Sequence, residues 1–257
     1  MGKVEVCMKW LRLLADVFLP RVCAVCGRRL HLRESYLCLH CLADLPLSFF
    51  WSGTHNSMAD RFNCLMNLHG LDKGESYVHA CSLFFFNTDS PYRNILYEIK
   101  YKGNVGLGRH MGMMLGSRLA SSPAFGDVDV VIPVPLHWRR KWKRGYNQAE
   151  AIASGIASAL GVPLRTDILK RVRHTETQTK LDVAGKEENV RGAFAAMPAA
   201  GPNTSGAVCT GNIAHILLVD DVFTTGSTLM ACFTALREVY PYPVRISVAT
   251  LGFVGHA

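Results

Sequence analysis

An α/β fold, a mostly parallel sheet flanked by helices, follows from three features of this sequence. Short apolar runs at 83–86, 130–132 and 216–219 have the length of strands buried on both faces, and 244–251 reads as a last strand. Between them, apolar residues recur at helical spacing: Tyr92, Ile95, Leu96 and Ile99; Met111, Met114, Leu115 and Leu119; Ile152, Ile156 and Leu160; and Leu229, Cys232, Phe233, Leu236 and Val239. Strands alternating with helices on this scale form parallel sheets with ligands at the carboxyl ends of the strands. The third feature stands apart from the sheet. Two CxxC pairs, Cys23 with Cys26 and Cys38 with Cys41, lie near the N-terminus and predict a small zinc ribbon.

Composition narrows the class. A chain of 257 residues has room for one large or two small domains with an ample core. Nine cysteines include five solitary ones (Cys7, Cys64, Cys81, Cys209 and Cys232), an odd remainder that argues for a reducing cytosol over an extracellular disulfide framework. The formal charge of +8 favours polyanionic partners, phosphorylated ligands or nucleic acid. The first apolar stretch, 10–19, is interrupted by Arg12 and Asp16 and lacks a small-residue cleavage site, unlike a signal peptide. Trp10, Leu13, Leu14, Val17 and Phe18 mark one face of a short amphipathic helix that packs on the next module or touches a membrane surface. No run approaches a membrane span.

Taken in order, the two cysteine pairs are separated by eleven residues, and Gly27 suits the tight turn beside the first. Four evenly paired cysteines make His31 and His40 unnecessary as ligands. Such a closed site is structural, and zinc would contribute on the order of 10 kcal/mol to ordering a segment too small for a core of its own. Phe49, Phe50 and Trp51 form an apolar cluster that can anchor the ribbon. From 52 to 74 the pattern is weak and reads as a bridge, and 76–86 favours strand. Ser90 and Pro91 open a helix that closes on Lys100, Tyr101, Lys102 and Gly103, cations where the helix dipole favours them. A second helix covers 107–119, with methionines as core filler. The strand within 128–135 leaves through Pro133, Val134 and Pro135.

The most basic stretch follows: His137, Arg139, Arg140, Lys141, Lys143 and Arg144, interleaved with Trp138, Trp142 and Tyr146. Aromatics among cations suit single-stranded nucleic acid, with bases on rings and phosphates on guanidinium groups. They equally suit a pyrophosphate-bearing ligand, or simply a solvated face. Asn147 then caps a helix with Glu150 three residues on, and Gly161 and Pro163 end it. The polar stretch 169–194 is an active-site lid or a surface loop. The stretch 198–211 is Ala-, Gly- and Thr-rich, a flexible insertion.

The organising segment is 216–228. A four-residue apolar strand runs into Asp220 and Asp221, then into Thr224, Thr225, Gly226, Ser227 and Thr228, and then into a helix. A loop at a helix N-terminus presents unpaired N–H groups and the positive end of the dipole to a phosphate. Hydroxyls add donors, and Gly226 lets the backbone come close. The two carboxylates suit a neighbouring diol. A phosphate with ribose hydroxyls a few ångströms away fits both halves; a capped helix with no ligand is the plain alternative.

This segment resembles the phosphoribosyl pyrophosphate (PRPP) motif of type I phosphoribosyltransferases. By that resemblance Asp220 and Asp221 would hold the ribose 2′- and 3′-hydroxyls, Thr224 to Thr228 would cradle the 5′-phosphate, and Mg²⁺ would accompany PRPP. Four further stretches narrow the likeness: the CxxC pairs; 99–103; Pro133-Val-Pro-Leu-His with Arg144-Gly-Tyr-Asn-Gln148; and Arg171-x-Arg-x-Thr-x-x-Gln178-x-x-Leu181 with Asn189-Val-Arg-Gly-Ala-Phe194. Together they resemble the ComF family, a zinc ribbon fused to a type I phosphoribosyltransferase-like domain and associated with the cytosolic handling of single-stranded DNA in natural transformation. Departures are Lys186 where the family usually has Arg, a longer insertion at 198–211, and Tyr240-Pro241-Tyr242 in place of Gly-Ala.

The resemblance implies residues 1–48 as N-terminal helix and ribbon, 49–90 as a bridge with hood-like strands, and 91–257 as the phosphoribosyltransferase-like domain. It implies a cytoplasmic protein of DNA uptake that binds PRPP or a related nucleotide and single-stranded DNA, and that works beside DNA-uptake or recombination proteins. Arg139, Arg140, Lys141, Lys143 and Arg144 are the candidates for nucleic acid or pyrophosphate. The alternative is an active transferase that passes phosphoribosyl from PRPP to a nitrogen acceptor, and a zinc-ribbon scaffold with a vestigial site is a third reading.

Overall fold

In the computed structural model the described residues are 20–71, 76–136, 142, 144–172, 192–198 and 213–255. The expected N-terminal amphipathic helix, four of the five basic-strip cations (Arg139, Arg140, Lys141 and Lys143), most of the polar stretch and the insertion lie outside them.

The apolar runs pair as a four-stranded, all-parallel sheet. β1 (Ala80–Phe85), β6 (Arg245–Phe253), β5 (His215–Phe223) and β2 (Val130–Pro133) lie in that spatial order. A strand buried on both faces must be apolar at every position, and β5 explains its run this way. Leu217 and Val219 join one core; Ile216 and Leu218 join the other. The first layer holds α3 (Arg93–Tyr101), α4 (Val105–Leu119) and α5 (Gln148–Leu160), through Ile99, Leu115 and Ile152. The second holds α2 (Ser57–Leu68) and α6 (Ser227–Val239), through Phe62 and Phe233. Helices α4 and α5 cross closely enough that a Cβ at Gly155 would run into the backbone of Arg109 and Met113. A short antiparallel ribbon, β3 (Leu169–Arg171) with β4 (Phe194–Ala196), flanks α6.

Three elements differ from the sequence reading. The stretch read as a patternless bridge contains α2, capped by Asn56, whose Oδ1 accepts from the Met58 and Ala59 amides at 3.1 and 2.9 Å. Its buried Met58, Phe62 and Met66 recur every four residues, but polar neighbours dilute the stripe. β5 does not stop at Val219; it continues through the acidic pair, because β6 goes on pairing with it as far as Phe223↔Phe253. The last strand accordingly runs to Phe253.

The outer edge of β1 is covered by its own chain. Ser48 N–H donates to the Leu83 carbonyl at 3.1 Å and Phe85 N–H to that of Pro46 at 2.8 Å, which blunts an edge that would otherwise invite pairing. The N-terminal ribbon docks on the first layer: Tyr92 Oη donates to the Cys41 carbonyl, and Asn94 Nδ2 to that of Val25, both at 3.1 Å.

At the opposite end of the sheet, His215 Nδ1 meets Asp127 Oδ1 and His215 Nε2 meets Ser247 Oγ, each at 2.8 Å. Burial holds the imidazole below its usual pKa. The order Ser–His–Asp matches a hydrolytic triad, but Ser247 is only 2% exposed. Asp129 beside it binds the Ala214 and His215 amides. This network fixes strand starts.

Candidate functional site

The extended end of β5 and the start of α6 set the site. Asp221 is buried, and its Oδ1 lies 2.9 Å from Lys100 Nζ in the last turn of α3. Asp220 accepts a hydrogen bond from the Asp221 amide at 2.8 Å. Burial, and then the neighbouring Asp221 charge, push the Asp220 carboxyl up to about 7, against the pull of that amide, Lys100 and Arg171. Near neutrality the pair thus carries less than two full negative charges, and a cation or a donor-rich ligand draws the remaining proton off.

The turn that follows is shaped for an anion. Gly226 sits at φ +85°, and a Cβ there would come within 2.7 Å of Leu65 Cδ1 and 2.8 Å of Phe223 Cζ. Only glycine closes this turn. As N-cap it supplies no side-chain acceptor for the first turn of α6. The Thr225 and Ser227 hydroxyls lie 3.0 Å apart, and Thr224 is exposed. The Ser227 amide makes only a 3.5 Å contact with Thr225 Oγ1, and helix-start amides beside converging hydroxyls attract phosphate.

Around this turn lie a cavity of about 570 Å³ lined by Lys100, Tyr101, Val222 and Thr224, and another of about 180 Å³ lined by Ser227, Met230 and Phe194. The entry to α5 adds two polar atoms. Tyr146 Oη and Gln148 Oε1 are buried without a hydrogen-bond partner among the described residues. Burial raises the Tyr146 phenol, as does the charge of Asp221, although Arg144 opposes them. Buried polar atoms ordinarily have partners, and Tyr146 lies near enough to Asp221 to feel its charge. Arg144, the described basic-strip candidate, lies with its guanidinium 5.3 Å from the Tyr101 ring centroid, at the edge of the larger cavity.

The four cysteines come together as the spacing predicts. Their sulfurs lie within 4.8 Å of one another, Cys26 and Cys38 at 3.8 Å, and neither His31 nor His40 joins them. A tetrahedron with zinc–sulfur bonds of about 2.3 Å has edges of roughly 3.8 Å, so the set fits a structural zinc ion. Burial raises the Cys23 thiol, but the Cys26, Cys38 and Val25 amides outweigh it and bring it down to about 7. Burial and the adjacent Cys26, Cys38 and Cys23 sulfurs raise that of Cys41. One thiolate forms readily; the fourth needs a cation. Glu34 braces the connecting loop, accepting from the His31 and Leu39 amides at 2.7 Å each.

No family model matches the chain. Over 227 residues it is 28% identical to competence protein F of Haemophilus influenzae, covering 84% of this chain and 91% of that protein. That similarity, over most of both chains, supports the resemblance to the ComF family. A shorter similarity joins it to DNA utilization protein YhgH of Salmonella typhi, 35% identical over 102 residues, and to YhgH of Escherichia coli K12, 32% identical over the same length. The former covers 39% of this chain and 40% of that protein. No helix among the described residues is long and apolar enough to cross a membrane.

The sequence reading assigns Lys100 to the helix dipole and to the 99–103 motif, counts Tyr146 among the aromatics of the basic strip, and names Gln148 only within the 144–148 motif. The stretches 99–103 and 144–148 were visible as motifs, but their convergence on Asp220 and Asp221 depends on how helix and sheet pack.

The raised Asp220 carboxyl has a consequence for stability. Its folded pKa lies above the ordinary carboxylate value, so the folded state holds a proton that the unfolded chain has lost, and stability falls as pH rises from about 4 to about 7. Asp220→Asn removes that penalty. We expect the ligand-free variant to be more stable than wild type by on the order of 2 kcal/mol at pH 8, with the gain vanishing toward pH 4. Denaturant titrations across this range check it; a gain independent of pH would place its origin elsewhere.

Proposed function

We propose that this protein binds PRPP, or a related phosphorylated ribose, together with single-stranded DNA, and acts in DNA uptake in the cytoplasm. The observation that carries the ligand reading is the junction of β5 and α6: two adjacent carboxylates, that of Asp220 raised by burial and its neighbour's charge, and a helix start without a side-chain cap beside paired hydroxyls. In this reading Asp220 and Asp221 hold the ribose hydroxyls, while Thr224, Thr225, Gly226, Ser227 and Thr228 hold the 5′-phosphate. Magnesium enters with the ligand. Two carboxylates, one already paired with Lys100, do not make a cation site alone, and Mg²⁺ characteristically combines one or two carboxylates with substrate phosphates. It would supply charge neutralisation at the pyrophosphate. Tyr146 and Gln148, each with a buried atom that has no partner among the described residues, are the natural further contacts.

The DNA reading draws on the names of the relatives, competence protein F and DNA utilization protein, and on the cationic strip. Arg139, Arg140, Lys141, Lys143 and Arg144 meet phosphates in this account, and Trp142, 89% exposed, offers a stacking ring. DNA-uptake or recombination proteins are the expected partners. Replacing Arg139, Arg140 and Lys141 together by Ala should flatten the plot of log affinity against log salt by roughly two units, because each neutralised phosphate releases counterions. Fluorescence anisotropy with labelled oligothymidylate at several salt concentrations measures it. Wild-type affinity and slope in the folded variant would move the DNA surface to the ribbon or to 171–180.

A second reading, an active transferase passing phosphoribosyl to a nitrogen acceptor with release of pyrophosphate, is favoured by the roomy cavity beside Thr224. Positioning and electrostatics do most of such chemistry, so it requires no dedicated base. Saturable pyrophosphate release with one acceptor would distinguish it.

A further inference from the structure

We propose that the cavity of about 190 Å³ at the end of the sheet opposite the acidic pair is a second, separate anion site, taking a compact oxyanion of the phosphate or small-dicarboxylate class. It stands independently of the phosphoribose reading. Its walls come from the entry to β1 (Ser76 and His79), the start of β6 (Arg245 and Ser247), the last turn of α6 (Arg237) and the connection between α6 and β6 (Tyr242). The strand register sets Arg245 opposite His215 and Thr250 opposite Asp220. At the rise of a strand the two ends are therefore separated by roughly 17 Å. A compact anion cannot span that distance.

Charge is the first argument. Arg237, Arg245 and His79 line the cavity, and no carboxylate is among its described lining residues. Both guanidinium groups are pinned. Arg237 Nη1 donates to the Tyr240 and Val244 carbonyls at 2.9 and 2.6 Å. Arg245 Nη1 pairs with Asp127, and its Nη2 donates to the Ala124 carbonyl at 3.1 Å. A guanidinium already fixed in place presents its charge to an oxyanion with little further loss of side-chain freedom. Asp127 offsets Arg245 only in part, because its carboxylate is 58% exposed and its other oxygen faces His215. Size is the second argument. The volume lies below the range of about 300–1,000 Å³ typical of drug-sized ligands, which suits an anion of a few heavy atoms and excludes a nucleotide. The Ser76 hydroxyl adds a donor, whereas Ser247 Oγ is engaged with His215 Nε2 at 2.8 Å. Tyr242 lines the cavity and is 63% exposed, which sets it at the mouth. It belongs to the Tyr240-Pro241-Tyr242 stretch that departs from the ComF pattern, so this wall is particular to the chain.

The full chain is titrated with inorganic phosphate and, separately, with malonate. Backbone amide chemical shifts are the readout, because they separate binding here from phosphate binding at residues 224–228. Arg245→Gln is the obvious variant, but it removes the partner of Asp127 and endangers the fold. Ser76 carries the test instead, since it is exposed and lines the cavity. Ser76→Glu sets a like charge against the anion, and Ser76→Lys adds a cation. The expected result is saturable shifts at residues 76–79 and 244–247 in wild type. Ser76→Glu should weaken them roughly five-fold or more, as a like charge a few ångströms away dictates even at the dielectric of water, and Ser76→Lys should retain or tighten them. A response to phosphate alone assigns the site to a tetrahedral oxyanion, one to malonate alone to a dicarboxylate, and one to both to any compact dianion. Shifts confined to residues 224–228 with both probes, or equal affinity in Ser76→Glu and Ser76→Lys, overturn the proposal.

Discussion

Cys38→Ser should release the metal from the N-terminal ribbon and unfold residues 20–48 while the parallel sheet remains. Cys38 does three jobs at once. Its sulfur is one of the four-cysteine cluster, it caps α1 (Leu39–Ala43) by accepting from the Cys41 amide at 3.5 Å, and its own amide donates to Cys23 Sγ at 3.3 Å. The segment has few buried apolar residues of its own beyond Val25, Leu30, Leu37 and Leu45. Zinc held by four thiolates contributes on the order of 10 kcal/mol to ordering such a segment, about as much as burying those four side chains at roughly 1.5–3 kcal/mol each. Metal analysis should fall from one zinc per chain toward none, and hydrogen exchange should rise across the ribbon. The Tyr92 and Asn94 contacts to the Cys41 and Val25 carbonyls would be lost with it, so a smaller rise in α3 is part of the expected pattern. One zinc retained in the variant, or none in wild-type protein purified without chelator, would refute the site.

Asp220→Asn with Asp221→Asn should abolish the thermal shift given by PRPP and Mg²⁺ without unfolding the domain. A ligand that binds only the folded state at a hundred times its Kd adds about 2.7 kcal/mol. At roughly 2–4 °C per kcal/mol for a chain of this size class, the wild-type shift should be about 5–10 °C. Neutral amides accept hydrogen bonds less strongly than carboxylates and give no charge to a magnesium–pyrophosphate group. Removing Asp221 also frees Lys100 from its 2.9 Å partner, leaving an unopposed cation beside the cavity. Phosphate alone would therefore still bind the turn at residues 224–228. The informative pattern is a lost PRPP shift with retained weak binding of inorganic phosphate. An unchanged PRPP shift in the double variant would show that the ligand binds elsewhere.

How much of this was legible in the sequence depended on the range of the interaction. The CxxC pairs, the strand at 216–219 and the glycine turn at 226 are local patterns, because a metal hairpin, a buried strand and a left-handed turn each write their requirements into consecutive residues. The helix α2 was missed because Met58, Phe62 and Met66 are diluted by Asp60, Arg61 and Asn63, so its helical stripe emerges only when Phe223 and Phe233 pack on Phe62. The end of β5 was misplaced because a charged pair reads as a strand terminus, whereas β6 continues the ladder past it.

The sequence by itself determined the fold class, the four-cysteine cluster and the order strand, acidic pair, hydroxyl turn, helix, since each is a matter of neighbouring residues or of short repeats. Only the tertiary structure decided the strand order β1-β6-β5-β2, the Lys100–Asp221 pair across 121 positions of chain, the raised carboxyl of Asp220 and the cavity shared by α3 and β5. Burial and charge proximity depend on which distant segments meet. Parallel strands are joined by long crossovers, so no local pattern states which two will lie side by side or what their ends will face.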